Sequence, residues 1–172
     1  MSQDQVEPFK VFISSSQNEF ERFRIDLKEV IDNEDFVNLR IMNAILVELK
    51  RGQIDADIEK GIRDASIYVG IFGRVYSEPT IKEFKRARDS NLPILIYRMV
   101  RTAHGRSKKR SVASGRSKVD LFLRNEVMPL GIRVRGPFYD ESSLEKAIMT
   151  DLAFRVAEMV REDANFRKMI GR

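Results

Sequence analysis

The chain contains no cysteine, no tryptophan and a single histidine, His104. Without cysteine it can form no disulfide, no thiolate nucleophile and no Cys-ligated zinc site. A single histidine excludes metal centres built from several histidines and disfavours a Ser-His-Asp triad. We therefore expect no bound metal ion.

The glycine motifs that bind phosphates are also missing. Neither G-x-x-x-x-G-K-[ST] nor G-x-G-x-x-G follows the first predicted strand. This absence disfavours ATP hydrolysis and the usual redox chemistry of dinucleotides. We expect no cofactor.

Long hydrophobic runs are absent as well. No apolar stretch approaches the roughly 20 residues of a membrane span, and the first eight residues are acidic and polar rather than signal-like. A length of 172 residues with 42% hydrophobic side chains suffices for one globular domain over residues 1–172. We expect a cytoplasmic protein with no membrane partner.

The positive charge of the chain is confined to one segment. The net charge is +5, yet residues 101–118 carry seven basic side chains and no acidic one, so the remaining chain is slightly acidic. This segment is rich in glycine and serine and is too long for an ordinary connection, which predicts a flexible basic insertion. It lacks the aromatic side chains that stack on bases, so nucleic acid is not an expected partner.

Strand and helix patterns alternate along the chain. Strands are predicted at 9–13, within 36–48, at 67–72, at 94–97 and near 131–139. Helices are predicted after Ser16, over 53–64, 80–90 and 119–128, and from Ser142 onward. This order predicts an α/β fold, a flavodoxin-like three-layer sandwich with a five-stranded parallel sheet and helices on both faces.

Three of the helix starts have the spacing of a capping box. In this motif a serine or threonine and a glutamate three residues later each bind the other's free backbone N–H. The pairs are Ser16 with Glu19, Thr80 with Glu83, and Ser142 with Glu145.

The carboxyl ends of the strands are the expected ligand-binding edge of such a sheet. This rule selects residues 14–16, 73–80 and 98–118. The hydroxyls of Ser14, Ser15 and Ser16 lie at a helix start, where free N–H groups suit an anion or a ribose. The alternative is that Ser16 caps the helix and the other two serines line a turn.

Glu83 lies one turn into the helix that follows the third predicted strand. A carboxylate at this edge could bind ribose hydroxyls or stabilise the oxocarbenium ion that forms when a glycosidic bond breaks. The alternative is that Glu83 only completes the capping box with Thr80.

Three further side chains have two interpretations each. Asp64 ends the second predicted helix, where a carboxylate is unfavourable beside the helix dipole and needs a partner. An ordinary salt bridge to Arg63 or to a loop arginine could supply one. Tyr76 and Tyr97 flank the ligand edge and could stack on a base, although half-buried tyrosines are common at strand ends.

Three ordered motifs resemble an uncharacterised TIR-like family that often precedes STAND-type NTPase modules in signalling proteins. Residues 10–16 (KVFISSS), followed by Glu21-Arg22, resemble the opening "VFISS…ER". Residues 64–76 and 80–87 resemble "sD-x-x-V-x-hh-G-x-R-Y" and "T-x-x-E-[YF]-x-x-A". The match covers about residues 9–100, with weaker similarity over 119–160.

The resemblance implies a TIR-like sandwich with Glu83 in the catalytic position. Active members of the TIR and nucleoside deoxyribosyltransferase superfamily cleave N-glycosidic bonds in NAD or nucleosides with a glutamate in this helix. The ligand-binding residues expected from this resemblance and from the ligand-binding edge of the sheet together are Ser14, Ser15, Ser16, Asp64, Gly73, Arg74, Tyr76 and Thr80. The chain departs from the pattern at Ser77, where the transferases carry an acidic residue, and in lacking the tryptophan or cysteine common before the glutamate in plant-type TIR domains.

Two functions stay open, and with them the question whether the chain is an enzyme. One is a TIR-like signalling or defence domain that binds NAD or a nucleotide and cleaves its N-glycosidic bond. The other is a non-catalytic module that self-associates or docks a partner domain, as many TIR-like domains do. A homo-oligomer or a partner domain is therefore an expected partner.

Overall fold

The computed structural model describes residues 8–36, 39–40, 42–45, 54–100 and 117–170. Its strands are β1 (Phe9–Ser15), β2 (Asp35–Phe36), β3 (Leu39–Arg40), β4 (Met42–Ile45), β5 (Ile67–Phe72), β6 (Ile94–Met99) and β7 (Val134–Phe138). Its helices are α1 (Gln17–Asn33), α2 (Ile54–Asp64), α3 (Glu78–Asp89), α4 (Lys118–Phe122) and α5 (Glu141–Ile170). The helix α4 continues into a π-helical turn (Leu123–Val127) and a 3-10 turn (Met128–Leu130). All but the last two residues of the predicted basic insertion, 101–118, lie outside the described residues.

The main sheet has five strands in the order β4-β1-β5-β6-β7, and every pair in it is parallel. The predicted five-stranded parallel sheet is confirmed, and its strand order is that of a flavodoxin-like fold. The predicted strand within 36–48 corresponds to β4 together with a separate two-stranded antiparallel pair, β2 and β3. The strand order reverses between β1 and β5, which makes the carboxyl ends of these two strands the expected ligand crevice.

Two hydrophobic cores cover the two faces of the sheet. Side chains of α1 and α5 pack on one face, against alternate residues of β1, β5 and β6, and those of α2, α3 and α4 pack on the other. All six residues of β5 are buried, which explains why its sequence IYVGIF is apolar throughout rather than alternating. The described helices include none that is both long and apolar enough to cross a membrane.

The capping-box predictions are wrong at all three helix starts. The Ser16 hydroxyl makes no capping bond to α1. The helix α3 begins at Glu78 after the N-cap Ser77, two residues earlier than predicted, so Thr80 is already inside it. The Asp140 carboxylate, rather than Ser142, occupies the start of α5 and accepts hydrogen bonds from the N–H and the hydroxyl of Ser143 at 2.7 and 2.8 Å.

Candidate functional site

A buried serine–glutamate pair lies where β1 approaches α3. Ser14 is near the carboxyl end of β1, on the face that carries Phe12 and the α3 core residues, and its hydroxyl donates a hydrogen bond to Oε2 of Glu83. The register of the sheet pairs Ser14 with Gly70 of β5, so the pair sits beside the strand-order reversal. Glu83 therefore bonds across the fold to β1 and does not complete a capping box with Thr80.

Burial changes the acidity of Glu83. The residue is only 5% exposed, and this loss of water raises the pKa of its carboxyl from 4.5 to about 7. The hydrogen bond from Ser14 and the positive charge of Arg24 act in the opposite direction and limit the rise. Near neutral pH the carboxyl is thus present in both its protonated and its ionised form.

The charge of Glu83 also shifts the pKa values of two other buried side chains. Burial lowers the pKa of Arg24, which is 7% exposed, while the nearby charges of Glu83 and Glu21 oppose this change. Burial raises the pKa of the Tyr68 hydroxyl well above its usual value, and the negative charge of Glu83 raises it further. Glu83 therefore interacts electrostatically with a cation and with a phenol, and all three side chains are largely closed to water.

We expect the contribution of Glu83 to the free energy of unfolding to fall as the pH rises from about 4.5 to about 7. The unfolded chain releases the Glu83 proton near 4.5, whereas the folded protein keeps it until about 7. The contribution is fully present below the lower pKa and is lost as the pH passes the higher one, because the folded state binds more protons in between. The shift corresponds to about 3 kcal/mol.

Urea unfolding of the wild type and of Glu83→Gln, at about pH 5 and pH 8, measures this contribution. The stability of the wild type relative to the variant should fall by most of that amount between the two pH values. Because both proteins contain the other carboxyls, the comparison cancels their pH-dependent contributions to the free energy of unfolding. Asp120 and Asp140, whose pKa values are lowered, are examples. A relative stability that does not change with pH would contradict the raised pKa.

A shallow depression opens beside the pair, at the same edge of the sheet. The space between its lining atoms is about 200 Å³, a value that includes open solvent, and in this conformation it is too narrow to hold a water molecule. Its polar lining comes from Ser16, Tyr76, Ser77 and Thr80, and its apolar lining from Ile71, Phe72, Val75, Ile81 and Val119. Three of the nine expected site residues, Ser16, Tyr76 and Thr80, therefore line it with hydroxyl-bearing side chains. Glu83 does not line the depression but lies one turn further along α3 than Thr80.

The remaining serine, Ser15, is buried at this edge. Its side chain belongs to the opposite face of β1 from Ser14, because alternate residues of a strand face opposite sides. The Ser15 hydroxyl has no hydrogen-bond partner among the described residues. The three serines that the sequence grouped together thus have three different environments.

Tyr76 fits the interpretation of a ring that could stack on a base, and Tyr97 fits that of a buried tyrosine at a strand end. Tyr76 is 38% exposed in the depression and rests edge-on against Phe122, with the ring centroids 6.4 Å apart. Tyr97 is fully buried, and its hydroxyl donates to Asp151 at 2.7 Å. Only Tyr76 could meet a ligand.

Asp64 is not brought to the site. It ends α2 and precedes β5, so it lies at the amino end of that strand, at the opposite edge of the sheet from Ser14 and Glu83. Its carboxylate lies 4.0 Å from Arg63, the ordinary partner that its helix position predicted. The ligand role implied for Asp64 has no support in this placement.

The loop at Gly73 and Arg74 contacts Glu19, whose spacing predicted that it would cap α1. The Glu19 carboxylate accepts hydrogen bonds from the backbone N–H groups of Arg74 and Val75, at 2.8 and 3.1 Å. The spacing of Glu19 from Ser16 matched a capping box, and no local pattern could reveal a contact with a distant loop.

Arg98 is a second residue that sequence reasoning did not single out. Its guanidinium donates to the carbonyl oxygens of Phe72, Gly73 and Met99, at 3.2, 2.6 and 2.7 Å, and forms an ion pair with Asp120 at 2.8 Å. Arg98 therefore holds the end of β5 against β6 and α4. The edge rule had selected the segment that begins at Arg98, but it indicates a place and not a side chain.

No candidate metal site is found among the described residues. No group of three or more histidine or acidic side chains there could hold an ion. The chemistry available at this edge is that of one carboxyl with a pKa near neutrality, several hydroxyls and an exposed aromatic ring.

Residues 10–153 match a family described as "Domain of unknown function (DUF4062)". No curated protein matches the chain. Among solved structures, the fold is similar to that of the CMP N-glycosidase BcmB of Clostridium botulinum, with a TM-score of 0.51 and 13% sequence identity. The similarity covers 82% of this chain and 98% of that chain. At this identity the likeness shows a shared fold.

Proposed function

We propose that this chain, which belongs to the DUF4062 family, cleaves the N-glycosidic bond of a nucleotide or nucleoside. The observation that carries the proposal is the Ser14–Glu83 pair, which places a buried carboxyl with a pKa of about 7 at the strand-order reversal. The fold shared with a CMP N-glycosidase supports the same class of reaction.

The chemistry of this reaction suits a single carboxylate. When the C1′–N bond breaks, its electron pair leaves with the base, and positive charge develops on C1′ and the ring oxygen of the sugar. A nearby carboxylate stabilises that charge electrostatically. A water molecule then bonds to C1′ and loses one proton. Cytosine leaves as an anion and takes up one proton, whereas nicotinamide leaves NAD as a neutral molecule and the proton goes to solvent. The products are the free base and the sugar or sugar phosphate. With a pKa of about 7, Glu83 can accept the proton of the water near neutral pH.

Glu83 needs a change of conformation to reach a substrate. It is almost fully buried, its carboxyl is held by Ser14, and it does not line the depression. Rotation of the side chain towards Thr80, one turn earlier on α3, would bring the carboxyl to the depression. The exposed ring of Tyr76 offers a surface for a base. The Ser77 hydroxyl, which accepts a hydrogen bond from the buried Thr80 hydroxyl, offers a partner for a sugar.

The substrate class has two candidates, and the cellular role depends on which of them is correct. The resemblance to TIR domains favours NAD and a role in signalling or defence, whereas the fold of a CMP N-glycosidase favours a nucleoside monophosphate. The depression presents hydroxyls and an aromatic ring, which suit the sugar and base common to both.

The test is release of free base by the purified chain from three compounds: CMP, cytidine and NAD. Chromatography should detect cytosine or nicotinamide accumulating with time, in proportion to enzyme concentration. We expect turnover of at least one of the three, with the sugar product in equal amount. No release of base from any of them, at any pH between about 5 and 8, would contradict the proposed reaction.

A second candidate function is a non-catalytic interaction module, and α5 favours it. This helix continues to Ile170, and its side chains Phe154 and Val160 are 72% and 53% exposed. An exposed apolar side chain marks a protein-binding surface only where it belongs to a contiguous patch, so the test of this candidate is whether Phe154 contributes to association. Absence of base release, together with a molecular mass that rises with concentration and is restored to the monomer value by Phe154→Ser, would favour this candidate.

A further inference from the structure

We propose that the Glu19 carboxylate is a positioning group, which holds the β5–α3 loop (residues 73–77) in the conformation that shapes the ligand depression. Three residues of this loop, Val75, Tyr76 and Ser77, line the depression. The proposal rests on the proposed function only where it concerns substrate affinity. Its statement about the loop stands on geometry alone.

The contact joins two distant parts of the chain with matched chemistry. One oxygen of Glu19 accepts a hydrogen bond from the N–H of Arg74, and the other accepts one from the N–H of Val75. Two successive backbone N–H groups directed at one anion form a small anion-binding concavity. Hydrogen bonds to an ionised acceptor are stronger than those between neutral groups. The first turn of α1 is thereby fixed to the loop that follows β5.

The absence of a side chain at Gly73 leaves the space that the Glu19 carboxylate occupies. A Cβ atom added to Gly73 would overlap the carboxyl group of Glu19. In its present position the Glu19 carboxylate therefore leaves no room for a side chain at residue 73, and any larger residue there would have to displace the end of the flexible Glu19 side chain.

Arg98 holds the same loop from its other side. It binds the carbonyl oxygens of Phe72 and Gly73, whereas Glu19 binds the next two N–H groups along the chain. Residues 74–76 are otherwise exposed. Loss of the Glu19 contact should therefore loosen the loop locally without unfolding the cores, since exposed segments open independently of the whole.

Amide hydrogen exchange measured by NMR tests the geometric part directly. In Glu19→Ala, the N–H groups of Arg74 and Val75 should exchange ~10-fold faster or more than in the wild type, because each loses a charge-assisted hydrogen bond. The matched control is Glu29→Ala, an exposed glutamate of the same helix, which should leave both rates unchanged. Equal exchange rates in Glu19→Ala and the wild type would overturn the proposal. If Glu19→Ala fails to fold, Glu19→Gln decides instead, since its single amide oxygen should leave one of the two N–H groups less protected.

Gly73→Ala supplies an independent double-mutant cycle. In the wild-type background the new methyl group should displace the Glu19 carboxyl and raise the same two exchange rates. In the Glu19→Ala background it has nothing to displace, so it should add no further change. Additive effects of the two substitutions would contradict the assigned contact.

Kinetics test the link to function. We expect Glu19→Ala to raise KM for base release ~10-fold while kcat and the melting temperature stay close to those of the wild type, since the contact shapes the depression and does not reach Glu83. An unchanged KM, or a fall in kcat alone, would overturn the positioning role. If the wild type releases no base, the proposed function fails, whereas the exchange rates still decide whether Glu19 holds the loop.

Discussion

Glu83→Gln is expected to lower kcat for base release by roughly 10²–10⁴-fold, the range that a positioned acid–base group supplies. The amide has the size of the carboxyl but can neither stabilise the positive charge at C1′ as an anion nor accept a proton from water. The loss should fall on kcat rather than on KM, because the charge develops only in the transition state.

The same substitution should leave the protein folded. The amide oxygen of a glutamine can still accept the hydrogen bond from Ser14. Above pH 7 the variant also avoids the burial of a negative charge, so its melting temperature should equal or exceed that of the wild type. The control is Glu78→Gln, an exposed residue at the start of the same helix, which should keep full activity. Turnover by Glu83→Gln at the wild-type rate would remove Glu83 from the mechanism.

Phe84→Ala is expected to lower the free energy of unfolding by about 3–5 kcal/mol, the range for a large aromatic side chain removed from a core. Phe84 is fully buried beside Glu83 on α3. Its ring meets those of Tyr68 and Phe122 edge-on, with centroids 6.4 and 5.5 Å apart. These contacts fasten α3, and therefore Glu83, to the sheet.

Urea unfolding at a fixed pH measures this effect as a shift in midpoint. The control is Phe154→Ala, because Phe154 is largely exposed on α5 and its removal should change stability by less than about 0.5 kcal/mol. Equal losses in the two variants would show that α3 does not depend on the aromatic contacts of Phe84.

The fold could be predicted because its signals are local and repeated. The uninterrupted apolar run at residues 67–72 indicated a strand covered on both faces, and β5 is buried throughout. Alternation of strands and helices then left few possible topologies, since parallel crossovers are almost always right-handed. The same reasoning selected the carboxyl edge, where Ser14, Glu83 and the depression are found.

The partners of individual side chains could not be predicted in the same way. Glu19 and Glu83 each stand three residues after a serine or threonine, a spacing that is identical in a capping box and in a contact with a distant element. Spacing along a helix reports only neighbours on that helix, whereas these carboxylates bind groups on β1 and on the loop after β5.

Asp64 is a different case, because the sequence contained enough information to place it. A residue directly before a strand of a parallel sheet lies at the amino end of that strand, and ligands bind at the carboxyl ends. The resemblance to transferases implied a ligand role for Asp64, whereas the direction of β5 places the residue at the opposite edge of the sheet from Ser14 and Glu83. The two arguments therefore disagree at this residue.

The burial of Glu83 has a consequence for how selectively such a site would act. A carboxyl that is already bonded to Ser14 would have to break that bond before it could meet a sugar, so under the proposed function the resting conformation would be inert. Only a ligand that binds the moved conformation more tightly than the resting one can shift the balance between them. Small fragments that fill the depression without engaging the carboxyl would bind and yet leave it in place. Selectivity would then arise from induced fit, with the correct substrate assembling the reactive arrangement as it binds.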